Sequence, residues 1–172
     1  MRFRFPQAPS RLPADEAQAA HFAAAIYGSI VATAIVGALW GKHVPARDMT
    51  IEVGATMIVF WLAHTWAAIA GERIHTGHRL GTQKVLALGG AEWPMVESGF
   101  GPVLALALAW IGVISSANGA KLAIAIGVVQ LVGWGFVLGR RVYGRRLGGL
   151  VAGAGNGLLG LLLVGLEIVV SH

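Results

Sequence analysis

Several ionisable side chains interrupt an otherwise apolar sequence, and His64 lies deepest within such a segment. It belongs to residues 51–70, IEVGATMIVFWLAHTWAAIA, a segment long and apolar enough to cross a bilayer. An ionisable group at that depth is costly in free energy and usually faces a partner or an aqueous cavity. Histidine as a residue type exchanges protons near physiological pH, which suits it to a proton relay. The position indicates a polar site, and a neutral imidazole hydrogen-bonded to a neighbouring helix fits the same pattern.

Further polar residues fall at three successive depths of the apolar segments, as a path for protons or small cations requires. The predicted path consists of His21, Glu52, His64, Glu97, Gln130, Asn156 and Glu167. We expect His21, His64 and Glu97 to form one cluster, with His64 about 9 Å from the cytoplasmic end of its helix.

Each of these residues also has a purely structural interpretation. Glu52 and Glu97 stand where acidic side chains favour the first turn of a helix. Gln130 and Asn156 can hydrogen-bond between neighbouring helices, and Glu167 is close enough to the membrane boundary to extend into water.

Two histidines in a short polar segment, His75 and His78, are weak candidates for a metal site with Glu72. Gly71 and Gly77 argue against a continuous helix that would present them on one face. The chain has neither an HExxH motif nor a cysteine. Phosphate-binding glycine patterns and GxSxG are also missing from the sequence. The sequence therefore predicts no catalytic residue, no metal site and no cofactor.

The composition places these residues in a membrane protein. Hydrophobic residues make up 56% of the chain and charged residues 12%, about half the charged fraction of an ordinary soluble domain. The 25 glycines fit membrane helices, which tolerate glycine better than soluble helices do. Four of the basic residues lie within 140–146, between two apolar segments. This is the position of a topology signal, which argues against a nucleic-acid partner.

Apolar runs of about 20 residues predict an all-α membrane protein, a polytopic bundle of five transmembrane helices. The predicted helices cover about 19–40, 51–70, 94–116, 121–139 and 147–170. They form a single transmembrane domain over 19–172, after a cytoplasmic N-terminal arm at 1–18 that has no signal-peptide pattern. We expect Thr50 to cap the second helix, Pro94 to begin the third, and 117–120 to form a tight turn.

Basic residues predict the orientation of this bundle. Loops on the side of the N-terminus hold ten arginines and lysines, whereas the opposite side holds three. Since cytoplasmic loops are enriched in such residues, the N-terminus is predicted inside and the C-terminus, with His172, outside.

Glycines on the last helix predict close helix packing. Gly149, Gly153 and Gly157 repeat every four residues, a spacing that lets two helices approach each other. We expect the last two helices to pack together with Gln130 and Asn156 buried between them.

Three strings, VFWLAHTWA (59–67), EWPMVE (92–97) and GVVQLVGWG (127–135), resemble a family of small multi-span bacterial membrane proteins. That family occurs mainly in actinobacterial genomes and has no established activity. The resemblance covers most of the chain from the first helix onward. It implies a multi-pass protein of the bacterial inner (plasma) membrane and transfers no functional residues.

These observations favour a channel or carrier for protons or small cations, surrounded by the lipid bilayer. Five short helices barely enclose a pore, so we expect a homo-oligomer packed through glycine faces. Two alternatives stay open. One is a structural or accessory membrane protein without transport, and the other is a membrane metal-binding protein or enzyme using His64, Glu72, His75 and His78.

Overall fold

The protein folds as an α-helical bundle. Its computed structural model describes residues 14–170, with side chains from Gln18 onward except at 163, 167, 168 and 170. Over these residues the helices are α1 (Ala14–Gly41), α2 (Ala46–Thr76), α3 (Thr82–Glu92), α4 (Pro94–Trp110), α5 (Ser116–Tyr143) and α6 (Arg146–Val170). The predicted all-α class is confirmed for this part of the chain. The arm predicted at 1–18 falls outside the described residues up to position 13, and 14–18 belong to α1.

Four helices are long and apolar enough to cross a membrane. They are Gln18–Gly41, Ala46–Thr76, Ser116–Tyr143 and Arg146–Leu166. The predicted third span is shorter, because α4 has 17 residues and ends at Trp110. At 1.5 Å per residue it covers about 26 Å, slightly less than the hydrocarbon core of a bilayer. The structure thus identifies a protein with four candidate spans.

Helix α2 is longer at both ends than the sequence predicts. It begins after Pro45, and the Thr50 hydroxyl donates to the Ala46 carbonyl at 2.7 Å, so the prediction that Thr50 caps the helix is wrong. It also continues through Gly71 and ends at Gly77, which adopts the left-handed conformation with φ 69°. A single glycine costs a helix only about 1 kcal/mol, which packing against a neighbouring helix can offset.

The connection between α4 and α5 lies earlier than predicted. Residues 117–120 are helical, and the turn occupies 111–115 instead. Ser115 caps α5, since its hydroxyl accepts a hydrogen bond from the Asn118 N–H at 3.3 Å. The predicted turn residue Gly119 packs against Ala109 of α4, where a side chain would collide. Gly119 therefore permits close packing of α5 against α4 and does not form a turn.

Helix α1 is the centre of the bundle and contacts every other described helix. Small residues make these contacts close. A side chain at Gly28 would collide with Met95 and Ser98 of α4, and one at Gly127 of α5 would collide with Thr33.

The glycines of α6 pack against α5, as the sequence predicts. A Cβ atom at Gly153 would lie 2.9 Å from the Val132 carbonyl oxygen, and one at Gly157 2.7 Å from the Val132 side chain. Asn156 lies at the same interface, because its Nδ2 is 2.8 Å from where a Cβ of Gly135 would be. The prediction that Gln130 also lies there is wrong, since its Nε2 is 3.5 Å from where a Cβ of Gly101 in α4 would be. The glycines at 149, 153 and 157 therefore mediate the contact between α5 and α6 of the same chain.

A break between α3 and α4 controls the shape of the bundle. Proline at position 94 has no N–H, and the Trp93 N–H bonds to the Gly90 carbonyl at 3.3 Å. Helix α4 packs against α5, whereas α3 packs against α1 and α2 and makes no contact with α5. We call the end of the bundle where α1, α3 and α6 begin the proximal end, and the opposite end the distal end. The bundle is opened between α3 and α5 in its proximal half.

Candidate functional site

A cavity of about 330 Å³ lies between the first turns of α4 and the proximal half of α5. It is lined by Pro94, Glu97, Ser98, Gln130, Gly133, Trp134 and Val137. Counting along α4, Glu97 is about 20 Å from the distal Trp110, and Gln130 is about 21 Å from Ser116 at the start of α5. Both polar side chains therefore lie near the middle of the bundle in depth.

The polar atoms of this cavity are mostly hydrogen-bond acceptors without donors. The Oε1 atom of Gln130 is buried and has no hydrogen-bond partner within the described residues. Glu97 is exposed, and the described part of the chain gives it no ion pair or hydrogen bond. The Ser98 hydroxyl, by contrast, donates to the Met95 carbonyl of its own helix at 2.7 Å. The cavity thus presents the Glu97 carboxylate to a ligand, whereas the Gln130 Oε1 atom is buried beneath the cavity wall and is reached once the partly exposed Gln130 side chain turns.

A second cavity of about 330 Å³ lies on the proximal side of the first. It is lined by Gln18, His21, Phe22, Trp134 and Arg141, so Trp134 borders both cavities. Phe22 packs edge-on against Trp134 with ring centroids 5.7 Å apart, and Arg141 lies 5.0 Å above the Phe22 ring. We call the two cavities together the crevice. Its proximal mouth carries the positive charge of Arg141.

His64 lies outside the crevice, at the contact of α1, α2 and α3. Its Nδ1 is 3.7 Å from Oε2 of Glu92, and its ring centroid is 5.0 Å from that of Tyr27. Because α2 continues to Thr76, His64 is also about 18 Å from the helix end, twice the predicted distance.

The predicted cluster of His21, His64 and Glu97 is therefore divided among three places. His64 pairs with Glu92, His21 lies in the second cavity, and Glu97 lies in the first. Gly99 of α4 faces Met57 of α2. Glu97, two residues earlier, is rotated about 200° around the same helix and faces α5 instead.

An indole side chain supports the break between α3 and α4. The Nε1–H of Trp61 donates to the Gly89 carbonyl at 2.8 Å, and its ring meets Trp93 edge-on with centroids 5.6 Å apart. The Trp93 N–H, which would bond Gly89 in a continuous helix, bonds Gly90 instead. The Trp61 N–H therefore replaces the backbone donor that the Gly89 carbonyl would have in a continuous helix.

The remaining residues of the predicted path are spread through the bundle. Asn156 lies between α6 and α5, and Glu52 is exposed near the distal start of α2. The side chain of Glu167 lies outside the described residues, as does His172.

The weak metal candidates are not brought together. Oε1 of Glu72 lies 3.2 Å from Nζ of Lys84, which ties the end of α2 to the start of α3. His75 is exposed in the last turn of α2, and His78 follows the helix. Among the described residues, no group of three or more histidine, aspartate or glutamate side chains is arranged to hold a metal ion.

Four residues of these sites were missed from the sequence, namely Tyr27, Glu92, Ser98 and Trp134. The Glu-Trp-Pro string at 92–94 carried a usable signal, because a carboxylate directly before a helix break is accessible to another helix. Trp134 shares a helical face with Gln130 at a spacing of four residues, which places both on one wall.

No protein-family model, curated protein sequence or solved structure matches this chain. The resemblance to a family of bacterial membrane proteins therefore stays a prediction. Function is inferred below from the geometry of the crevice and its lining residues.

Proposed function

We propose that the protein is a membrane carrier for protons or small cations in which Glu97 binds the cation. One observation carries this proposal. In the middle of the bundle a carboxylate without a cationic partner in the described residues lines a cavity beside the unpartnered Oε1 of Gln130. A charged side chain at that depth is costly unless it is paired or hydrated, and such residues mark ion pathways in membrane proteins.

The packing of the two halves of the bundle favours a carrier over an open pore. The crevice occupies the proximal half only. In the distal half, Val36, Met49, Val53 and Leu106 are at most 1% exposed and belong to one core cluster. A site open toward one end and closed toward the other is the arrangement expected for one state of an alternating-access cycle.

The proposal includes five membrane crossings, with α4 and the last turns of α3 together forming the third. The proximal end then faces the cytoplasm, as the charge asymmetry of the loops predicts. The membrane is the bacterial inner membrane. The homo-oligomer predicted from the sequence is kept as a separate proposal, since the glycine face that suggested it packs within the chain. Light scattering of the purified protein in detergent measures the number of copies.

Flux through proteoliposomes tests the carrier. Wild-type protein is expected to take up protons or monovalent cations down an imposed gradient, and Glu97→Gln should lower the uptake at least about tenfold through loss of the charged ligand. Asp48→Asn, which removes an exposed carboxylate at the distal start of α2, is the matched control and should retain the wild-type rate. Equal flux with Glu97→Gln, or no flux above empty liposomes, contradicts the proposal.

A second candidate is a structural membrane protein without transport. His64 favours it, because this histidine is held by Glu92 and Tyr27 at a helix contact away from the crevice. In that case His64→Ala lowers thermal stability in detergent, and neither it nor Glu97→Gln changes the permeability of the liposomes.

A further inference from the structure

The cavity around Glu97 has the chemistry of a site for one class of cation. We propose that it binds a primary ammonium group attached to an apolar body. This inference rests on the proposed function, because it names the cation that Glu97 holds.

Two hydrogen-bond acceptors without donors favour an ammonium ligand. Glu97 and Gln130 line the same cavity, and the Glu97 carboxylate and the buried Gln130 Oε1 both lack a donor within the described residues. A ligand reaches this Oε1 when the partly exposed Gln130 side chain turns toward the cavity. A primary ammonium carries three N–H donors and one positive charge, so one such group can supply both oxygens. A buried acceptor left without a donor costs about 1–3 kcal/mol, which gives the site a preference for ligands with N–H groups.

Most of the rest of the cavity wall is apolar or aromatic. Trp134, Pro94 and Val137 line it together with the polar groups. An indole ring attracts a cation near its face and also covers apolar surface. The wall is therefore suited to a charged head with a hydrophobic or aromatic body.

The volume of the cavity and the number of its oxygen ligands also favour an ammonium group over a metal ion. A volume of about 330 Å³ lies at the lower end of the range for small organic ligands. Magnesium or calcium would need about six oxygen ligands, whereas the described side chains offer one carboxylate, one amide and one hydroxyl. The donor set fits an ammonium better than a divalent metal ion.

Two sources can supply this chemistry, a free amine and the headgroup of phosphatidylethanolamine. The cavity opens on the side of the bundle where Glu97, Gly133 and Val137 are exposed. Besides its proximal mouth, the crevice thus has a lateral opening, and through it a membrane-dissolved ligand can enter.

The test compares two probes that differ only in their N–H groups. Phenethylammonium and its N,N,N-trimethyl analogue are titrated by calorimetry into the full chain in phosphatidylcholine nanodiscs. The primary amine is expected to bind about tenfold tighter or more, since each tenfold corresponds to about 1.4 kcal/mol and one unpaired acceptor costs about that much. Equal affinities overturn the proposal, and this comparison needs no variant.

Variants then assign the two oxygens. Glu97→Gln should weaken both probes about tenfold or more, whereas Gln130→Leu should remove most of the preference for the primary amine. Asp48→Asn should bind both probes as the wild type does. Wild-type affinity in Glu97→Gln overturns the proposal.

A third arm identifies the source of the ammonium. If the lipid headgroup reaches the site, replacing part of the phosphatidylcholine by phosphatidylethanolamine raises the apparent Kd of phenethylammonium. An unchanged Kd identifies a free amine. Binding without Glu97-dependent flux would refute the carrier and keep the site, and flux without binding would refute the site and keep the carrier.

Discussion

Nδ1 of His64 lies 3.7 Å from Oε2 of Glu92, and this pair joins the middle of α2 to the last residue of α3. Directly after Glu92 the helix is interrupted at Trp93 and Pro94, and α4 then packs against α5. The break thus separates α3, which packs against α2, from α4, which borders the first cavity of the crevice. The pairing of α2 with α3 and the shape of the candidate site are two consequences of one feature.

The coupling between His64 and Glu92 is expected to be favourable but small. Their side chains are 41% and 22% exposed, and partly solvated ion pairs contribute at most about 1 kcal/mol. A double-mutant cycle with His64→Ala and Glu92→Gln, measured as unfolding free energy in detergent, checks this value. His75→Ala, at an exposed position of the same helix, should leave stability unchanged. A coupling indistinguishable from zero would show that the pair does not hold α3.

Trp61→Phe should destabilise the protein by about 1 kcal/mol. It removes the indole N–H that bonds the Gly89 carbonyl at 2.8 Å and leaves that acceptor unpaired. Trp66→Phe is the matched control, because Trp66 is 65% exposed on the same helix. Equal thermal shifts for the two variants would show that the bond to the helix break does not contribute.

Two glycines of α6 should respond oppositely to alanine. Gly153→Ala places a Cβ 2.9 Å from the Val132 carbonyl, and such overpacking costs about 1–3 kcal/mol. Gly155, two residues on, has no atom within 4 Å of its Cβ position, so Gly155→Ala should be neutral or stabilise the helix by up to about 1 kcal/mol. Thermal unfolding in detergent measures both. A stable Gly153→Ala would place the α5–α6 contact elsewhere.

Single cysteines should distinguish the crevice from the lipid-facing surface. The chain contains no cysteine, so each introduced thiol is unique. Val137→Cys borders the cavity and should react with a charged methanethiosulfonate reagent, since the reactive thiolate needs water. Val129→Cys should react more slowly although Val129 is 70% exposed compared with 37% for Val137, because lipid covers it. The reverse order would contradict a hydrated crevice.

Loop cysteines test the predicted orientation. With the N-terminus inside, Lys42→Cys is labelled by an impermeant maleimide in intact cells, and Arg145→Cys only after permeabilisation. Both positions are exposed in connections at opposite ends of the bundle. Labelling of Arg145→Cys in intact cells would invert the topology and put the mouth of the crevice outside.

Sequence reasoning placed the polar residues within helices, but it gave His64 only half of its distance from the helix end, about 9 Å where the structure has about 18 Å. Glu97 and Gln130 were both expected within apolar segments, and their distances along the helices follow from residue counts alone. Helical rotation decided their neighbours. Glu97 faces α5 rather than His64, a difference of about 200° that depends on how α4 is turned against α1 and α2.

Composition and periodicity alone determined the helical class and the apolar segments, because hydrophobic length is a local property of the chain. The sequence predicts five spans, whereas four helices of the structure are long and apolar enough to cross a membrane. Glycine spacing also determined the α5–α6 contact, since only small residues permit so close an approach. The pairing of His64 with Glu92, the bond from Trp61 to Gly89 and the crevice were decided by tertiary structure. Each depends on how α3 and α4 are placed on the two sides of the break at Trp93 and Pro94, and that placement is set by packing between helices distant in sequence.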